Sequence, residues 1–261
     1  MIAPPGTAGR LAELYGLRPR PLYGPEGSAV YDAMCRHDAT ELPDVLRLAQ
    51  GAPGPVLELA CGSGRLTLPL AARGHEVVAL DSSAPLLALL KSRIRDERID
   101  VVECDMAEFA FDRSFGLIVL AASSVCLLDA GQRAETFRRI AAHLAPGGRC
   151  YVSVLDLAGE LTTGPRPRER VTVLVDDATV LTLHQHFDGR RAVRTTSLFT
   201  EAVPDGARAL FTSEVAMVGS AELARELAAA GMVVQDVHRG APGEQVRVQL
   251  VCGLAGGGDD R

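Results

Sequence analysis

Three acids and two glycines carry the most specific chemistry in this chain. Glu58 lies inside the apolar run Val56-Leu57-Glu58-Leu59-Ala60, four residues before Gly62-Ser63-Gly64. Asp81 closes a second run, Glu76 to Leu80, and Asp105 follows a third, Asp100 to Glu103. An acid in a buried strand is costly unless it meets a donor or a cation. A Gly-x-Gly turn after a strand holds a small ligand against the strand's C-terminal end. The dinucleotide fingerprint asks for a third glycine, and Thr67 stands in its place.

The ligand outlined in this way carries an ammonium group and no phosphate. Glu58 suits an ammonium, often through water, and would repel a pyrophosphate. Asp81 can accept both hydroxyls of a ribose, and its distance from Gly62 is about the twenty residues of a βαβ half-unit. Asp105 can accept an adenine amino group, and Met106 can cover the ring face. Ala121 to Ser124, after a fourth apolar run, would lie beneath a methionine moiety. S-adenosylmethionine combines these features. Taken singly, Glu58 reads equally as a structural acid, Asp81 as a helix cap and Asp105 as a loop acid. Their spacing at successive strand ends gives the reading its weight.

The elements that must position these residues alternate. Strands are predicted over 56–60, 76–80, 100–103, 115–121 and 149–155. Helices are predicted over 64–73, 84–95 and from Asp129 to about Leu144, with Ser82 or Ser83 and Asp129 as caps. Before the first strand, residues 1–9 read as loose, and short helices are expected over 10–17, 28–37 and 40–50. Gly and Pro break the chain around Tyr23. After the fifth strand the pattern becomes strand-like alternation over 171–175, 179–187, 192–203 and 209–218. Asp188-Gly189 marks a hairpin between the second and third of these. A helix over 221–230 and strands over 232–238 and 246–252 close the pattern. The expected organisation is therefore an N-terminal helical lid (1–55) and an α/β core (56–156). An antiparallel strand insertion (157–219), a C-terminal helix with the last two core strands (220–253) and a disordered tail (254–261) follow.

Composition excludes several function classes. The 261 residues include 27 Lys and Arg against 33 Asp and Glu, a net charge of −6. Basic residues gather only at Arg166, Arg168 and Arg170, read as a solvated loop, so a nucleic-acid partner is not expected. No apolar run is long enough to span a membrane. The six cysteines show no CxxC and no metal-ligand spacing. They read as reduced core residues of a cytoplasmic protein, and no metal is expected.

The run Glu58-Leu59-Ala60-Cys61-Gly62-Ser63-Gly64, with Asp81, Asp105-Met106 and Leu144-Ala145-Pro146-Gly147-Gly148, resembles the class I S-adenosylmethionine-dependent methyltransferases. The resemblance implies a Rossmann-like seven-stranded sheet in order 3-2-1-4-5-7-6, with the cofactor across the ends of strands one, two and four. It implies S-adenosylhomocysteine as product. The cofactor positions then expected are Tyr23, Tyr31, Glu58, Ala60, Gly62, Gly64, Asp81, Ser82, Asp105, Met106 and Ala121. The insertion, and Tyr23 with Tyr31-Asp32, resemble the N-methyltransferases that dimethylate amino sugars. There a tyrosine matching Tyr23 lies near the methyl donor, which makes Tyr23 the catalytic candidate. Ser123 to Asp129 and Gly64 to Leu70 are similar to the methyltransferases of daptide-type peptide biosynthesis, which dimethylate a peptide's terminal amine. Some amino-sugar enzymes carry a histidine where this chain has Cys126.

Methyl transfer to an amine needs alignment and a neutral nucleophile more than a strong base. Substrate-facing candidates are Ser124, Cys126, Asp156 at the end of the fifth strand, and His184 with His186 on one strand face, the last two reading first as a solvent-facing pair. The partner expected is a small-molecule or peptide amine, and a homodimer is a further expectation. Three other readings compete. An O-methyltransferase would want a base near Ser123 to Cys126. A nicotinamide oxidoreductase would want the third glycine. A cofactor-binding protein without catalysis would keep the same ligand positions.

Overall fold

The computed structural model describes residues 3–95, 97–158, 167–175, 179–202 and 206–256. Arg166 of the basic stretch and tail residues 257–261 lie outside the described residues. The chain forms two compact units, Asp32–Asp156 with Val218–Arg261 and Met1–Tyr31 with Leu157–Met217.

The larger unit is built on a seven-stranded sheet. In chain order its strands are β2 (Val56–Leu59), β3 (Val77–Asp81), β4 (Ile99–Glu103), β5 (Phe115–Leu120), β6 (Leu144–Leu157), β11 (Met232–Arg239) and β12 (Gln245–Leu254). Their order across the sheet is β11-β12-β6-β5-β2-β3-β4, which read from β4 is the expected 3-2-1-4-5-7-6. β2 pairs in parallel with both β3 and β5, Leu59 standing opposite Leu80 and Leu120. The chain therefore reverses its direction of growth at β2 and β5, and open α/β sheets bind ligands at the carboxyl ends of such strands. Every residue of β2, β3 and β5 is buried, as a parallel sheet covered on both faces requires.

Four helices cover this sheet before β6: α3 (Leu42–Gln50), α4 (Thr67–Ala72), α5 (Ala84–Arg93) and α6 (Ala130–His143). Pro43 starts α3, where a missing N–H is harmless. Val45, Leu46, Leu48 and Ala49 join Val56, Leu70, Leu117 and Tyr151 in one buried cluster. Each large side chain buried there stabilises by about 1.5–3 kcal/mol before ordering costs. A reciprocal cap starts α6, with Asp129 accepting from Gln132 N–H at 2.8 Å and the Gln132 side chain accepting from Asp129 N–H at 3.0 Å. α7 (Ser220–Ala229) packs on α6, where buried Arg133 pairs with Glu226 and Glu222.

Two departures from the sequence expectation in the larger unit have a backbone cause. α4 starts at Thr67 and not at residue 64, because Gly64 has φ +89° and cannot lie in a right-handed helix. The Pro146-Gly147-Gly148 turn sits inside β6 as an irregularity: Leu144 opposes Phe115, while Arg149 already opposes Leu117.

The smaller unit holds a five-stranded sheet that runs β1 (Arg20–Pro21), β10 (Arg208–Ala216), β9 (Val193–Ala202), β8 (Thr179–Asp188), β7 (Arg168–Val175). β7, β8, β9 and β10 form an antiparallel meander. Arg168 and Arg170 stand in β7, in register with Phe187 and Gln185, and not in a loop. Asp188 closes the β8–β9 hairpin by accepting from Arg190 N–H at 3.0 Å. β1 adds an edge strand parallel to β10 at the break before Tyr23. An edge is where a proline can sit, since it has no N–H to give a ladder. α1 (Gly6–Tyr15) starts within the stretch expected to be loose. Its Ala8 and Ala12 pack on Phe199 and Leu210, and the Thr7 N–H and hydroxyl donate to Glu169. α2 (Gly27–Cys35) spans the boundary between the units.

Candidate active site

In the larger unit, the expected ligand positions gather at the carboxyl ends of β2, β3, β4 and β5. Gly62 and Gly64 both have left-handed backbones, φ +56° and +89°. A Cβ on Gly64 would run into Leu90 Cδ1, so glycine is required by both space and conformation. A Cβ on Gly62 would meet nothing nearer than Leu86 Cδ1 at 3.9 Å, which leaves the space beside the loop open to a ligand.

Asp81 fixes this loop. Its Oδ2 accepts from Gly62 N–H at 2.8 Å and its Oδ1 from Ser83 N–H at 2.7 Å. Burial raises the Asp81 pKa against the opposing pull of these backbone donors. A carboxylate has about four acceptor sites, so Asp81 can still take a further donor such as a ribose hydroxyl. Asp105 is half-buried, and its Oδ1 accepts from Ala107 N–H at 2.8 Å in a tight turn that buries Met106. Ser82 is exposed at the start of the β3–α5 turn.

Glu58 is the electrostatic centre of the site. Only 4 % of it is exposed, and it accepts a hydrogen bond from the Thr67 hydroxyl. Burial pushes its carboxyl up to about 7, with Asp81 and Glu41 adding to the rise while Thr67 and Arg65 oppose it. A cation brought against this carboxyl would favour its ionised form. An incoming ammonium group is such a cation, so the chemistry of the donor set suits S-adenosylmethionine.

Strained backbone marks the same edge. Ala60 after β2 and Ala122 and Ser123 after β5 have φ of +54°, +55° and +58°. Left-handed conformations in non-glycine residues cost about 1–2 kcal/mol each and collect at functional sites. Ala121 is buried, and the turn continues through a 3-10 helix, Ser124–Leu127. Ser124 N–H donates to Ala121 O at 3.0 Å, and Cys126 is buried.

Sequence reasoning missed the residues that hold this edge together. Glu41 is fully buried. Its Oε1 accepts from Ala122 N–H at 3.2 Å, from Tyr151 Oη at 3.3 Å and from the Ser153 hydroxyl. Its Oε2 accepts from Arg65 Nη2 at 2.6 Å. Asp32 accepts from Ser63 Oγ at 2.6 Å and is gripped by both Nη atoms of Arg93. The Arg93 hydrogen bond holds the Asp32 carboxyl below its usual range. Asp32 stood out only as the neighbour of Tyr31, and no local feature singled out Glu41.

Other candidates have different surroundings. Asp156 accepts from Ser220 N–H at 2.6 Å, Ser220 Oγ at 2.7 Å and Arg239 Nη1 at 2.9 Å, which starts α7 from the end of β6. Within the smaller unit, the rings of Tyr23 and Tyr31 meet edge to face with centroids 5.1 Å apart. His184 is 3 % exposed, so a solvent-facing reading fails for it, while His186 is half-buried. His184 Nε2 lies 2.9 Å from Thr182 Oγ1, and burial lowers its pKa against the pull of Glu169.

The sheet order, the glycine loop and the acids at successive strand ends define a class I, Rossmann-like methyltransferase core. Residues 56–148 match the family model described as a methyltransferase domain. A cypemycin N-terminal methyltransferase from Streptomyces sp. is 30% identical over 132 residues, 47% of this chain and 54% of that protein. The chain spans about half the length of the curated relatives it matches. Among solved structures, the CcbJ methyltransferase from Streptomyces caelestis superposes with a TM-score of 0.77 at 22% identity, covering 90% of this chain and 98% of that one. The glycopeptide N-methyltransferase MtfA, in complex with S-adenosylmethionine, superposes with a TM-score of 0.59 at 27% identity, covering 83% and 93%.

Proposed function

We propose that the chain is an S-adenosylmethionine-dependent N-methyltransferase acting on an amine of a natural-product intermediate. The observation that carries the proposal is the buried Glu58 beside the Gly62–Gly64 loop, with Asp81 and Asp105 at the next two strand ends. Glu58 would meet the cofactor ammonium, Asp81 the ribose hydroxyls and Asp105 the adenine edge. Ala60, Ala121 and the strained turn at Ala122–Ser123 would line the methionine part. When bound, S-adenosylmethionine supplies a methyl group on a sulfonium centre that an aligned nucleophile displaces in line.

Support for an amine acceptor comes from two directions. Similar proteins include a cypemycin N-terminal methyltransferase and a glycopeptide N-methyltransferase. The turn after β5 contains no histidine between Ala121 and Leu128, and an amine with its own lone pair does not require a firm base there. A terminal amine of a modified ribosomal peptide, methylated twice, is the acceptor favoured. An amino sugar is the alternative, and an amino pentose methyltransferase superposes with a TM-score of 0.67 at 20% identity, a likeness of fold. Tyr23 enters as the catalytic candidate through the resemblance of its sequence context. Tyr23→Phe is expected to lower turnover about ten-fold, the worth of one hydrogen bond. Mass spectrometry after incubation with peptides bearing free or blocked N-terminal amines tests the reading. Methyl additions confined to the free amines support it, and additions to blocked peptides contradict it.

A further inference from the structure

Two loops at the carboxyl ends of β2 and β5 stand where the sheet changes direction, and one buried side chain from outside the sheet holds both. Glu41 precedes α3, yet its carboxylate reaches Arg65, one residue beyond Gly64, and the N–H of Ala122 in the strained turn. Ser153 and Tyr151 on β6 donate to the Ala122-facing oxygen, and Arg247 Nη1 stands 3.7 Å from the Arg65-facing oxygen. Arg65 is itself pinned by Asp38 O, which accepts from its Nη1 at 2.9 Å. A carboxylate with no solvent exposure is tolerated where donors surround it.

We propose that Glu41 is a positioning residue for the cofactor site, setting the spacing between the Gly62–Gly64 loop and the Ala121–Ser124 turn. The role follows from how its two oxygens divide. Oε2 fixes the loop through Arg65, and Oε1 fixes the turn through Ala122 N–H. Removing the negative charge takes from Arg65 its ion pair and leaves it the Asp38 carbonyl alone, and the loop can drift from the turn by the fraction of an ångström that a preorganised site does not tolerate. An acid serving the core alone would have no reason to reach two ligand loops on neighbouring strands. The inference rests on the cofactor reading given above.

Calorimetric titration of the full chain with S-adenosylhomocysteine, alongside thermal unfolding, tests this. Glu41→Gln keeps a carbonyl for Ala122 and loses the ion pair with Arg65. It is expected to weaken binding at least about ten-fold. Glu41→Gln combined with Arg65→Met should bind no worse than the weaker of the two single variants, since both act through one contact. Glu226→Gln breaks another Arg pair, that with Arg133 between α6 and α7, and supplies the control. It should lower the melting temperature and keep affinity within about two-fold. Binding within about two-fold of the parent in Glu41→Gln overturns the inference, as does an equal loss in Glu226→Gln. Should Glu41→Gln fail to fold, Arg65→Lys, which keeps the charge and loses the planar fork, is judged by a loss of about three-fold or more. A parent chain that does not bind S-adenosylhomocysteine overturns the cofactor reading and this inference together, whereas an unaffected Glu41→Gln overturns the inference alone.

Discussion

Replacing Glu58 by Gln separates stability from binding in a way that few single changes can. The carboxyl stands at about 7 in the folded chain, against an ordinary value of 4.5, because it is buried. The folded state therefore holds a proton between pH 4.5 and 7 that the unfolded state has released. Stability falls as pH rises through that window and then levels off. The shift corresponds to about 3 kcal/mol of lost stability above neutrality. Gln keeps the contact with Thr67 and never ionises, so Glu58→Gln should match the parent near pH 5 and exceed it near pH 8. At roughly 2–4 °C per kcal/mol, the gain in melting temperature at pH 8 is about 6–12 °C. The same variant should bind S-adenosylhomocysteine more weakly, since the ammonium loses its counter-charge. In the parent at pH 7, ligand binding should release about half a proton, read by calorimetry in buffers of different ionisation enthalpy. Melting curves of parent and variant that run parallel from pH 5 to 8 would refute the reasoning.

Asp81→Ala removes the acceptor of Gly62 N–H and the expected ribose contact together. It should abolish measurable S-adenosylhomocysteine binding in calorimetry, and retention of parental affinity would contradict the role given to Asp81. Gly64→Ala places a methyl group against Leu90 Cδ1 at φ +89°. It should cost about 1–3 kcal/mol in chemical unfolding, and an unchanged unfolding free energy would contradict the need for glycine there.

The core was legible because its signals are local. Continuous apolar runs over 56–60 and 115–121 mark strands buried on both faces, and the acids at 58 and 81 stand out against them. The strand order followed from resemblance, and the structure reproduces it. What stayed hidden depends on distance along the chain or on backbone conformation. Glu41 meets Ala122 and Ser153 across 81 and 112 residues, and no local spacing announces such a pair. Asp32 was visible only as a polar residue on a helix, and its grip on Ser63 and Arg93 needs three separate segments. Ala60, Ala122 and Ser123 adopt left-handed conformations that a glycine would have signalled and these residue types do not. The smaller unit shows the same limit, since the two residues of β1 carry no strand signal and pair only because β10 offers an edge.

The central claim is methyl transfer to nitrogen. One acceptor carrying both groups, a peptide with a free N-terminal amine and a serine hydroxyl, is incubated with the purified chain and isotope-labelled S-adenosylmethionine. Tandem mass spectrometry then locates the label. The account predicts label on the terminal amine, in one and then two methyl increments, with the hydroxyl untouched. Label on the hydroxyl with the amine unmodified would contradict it.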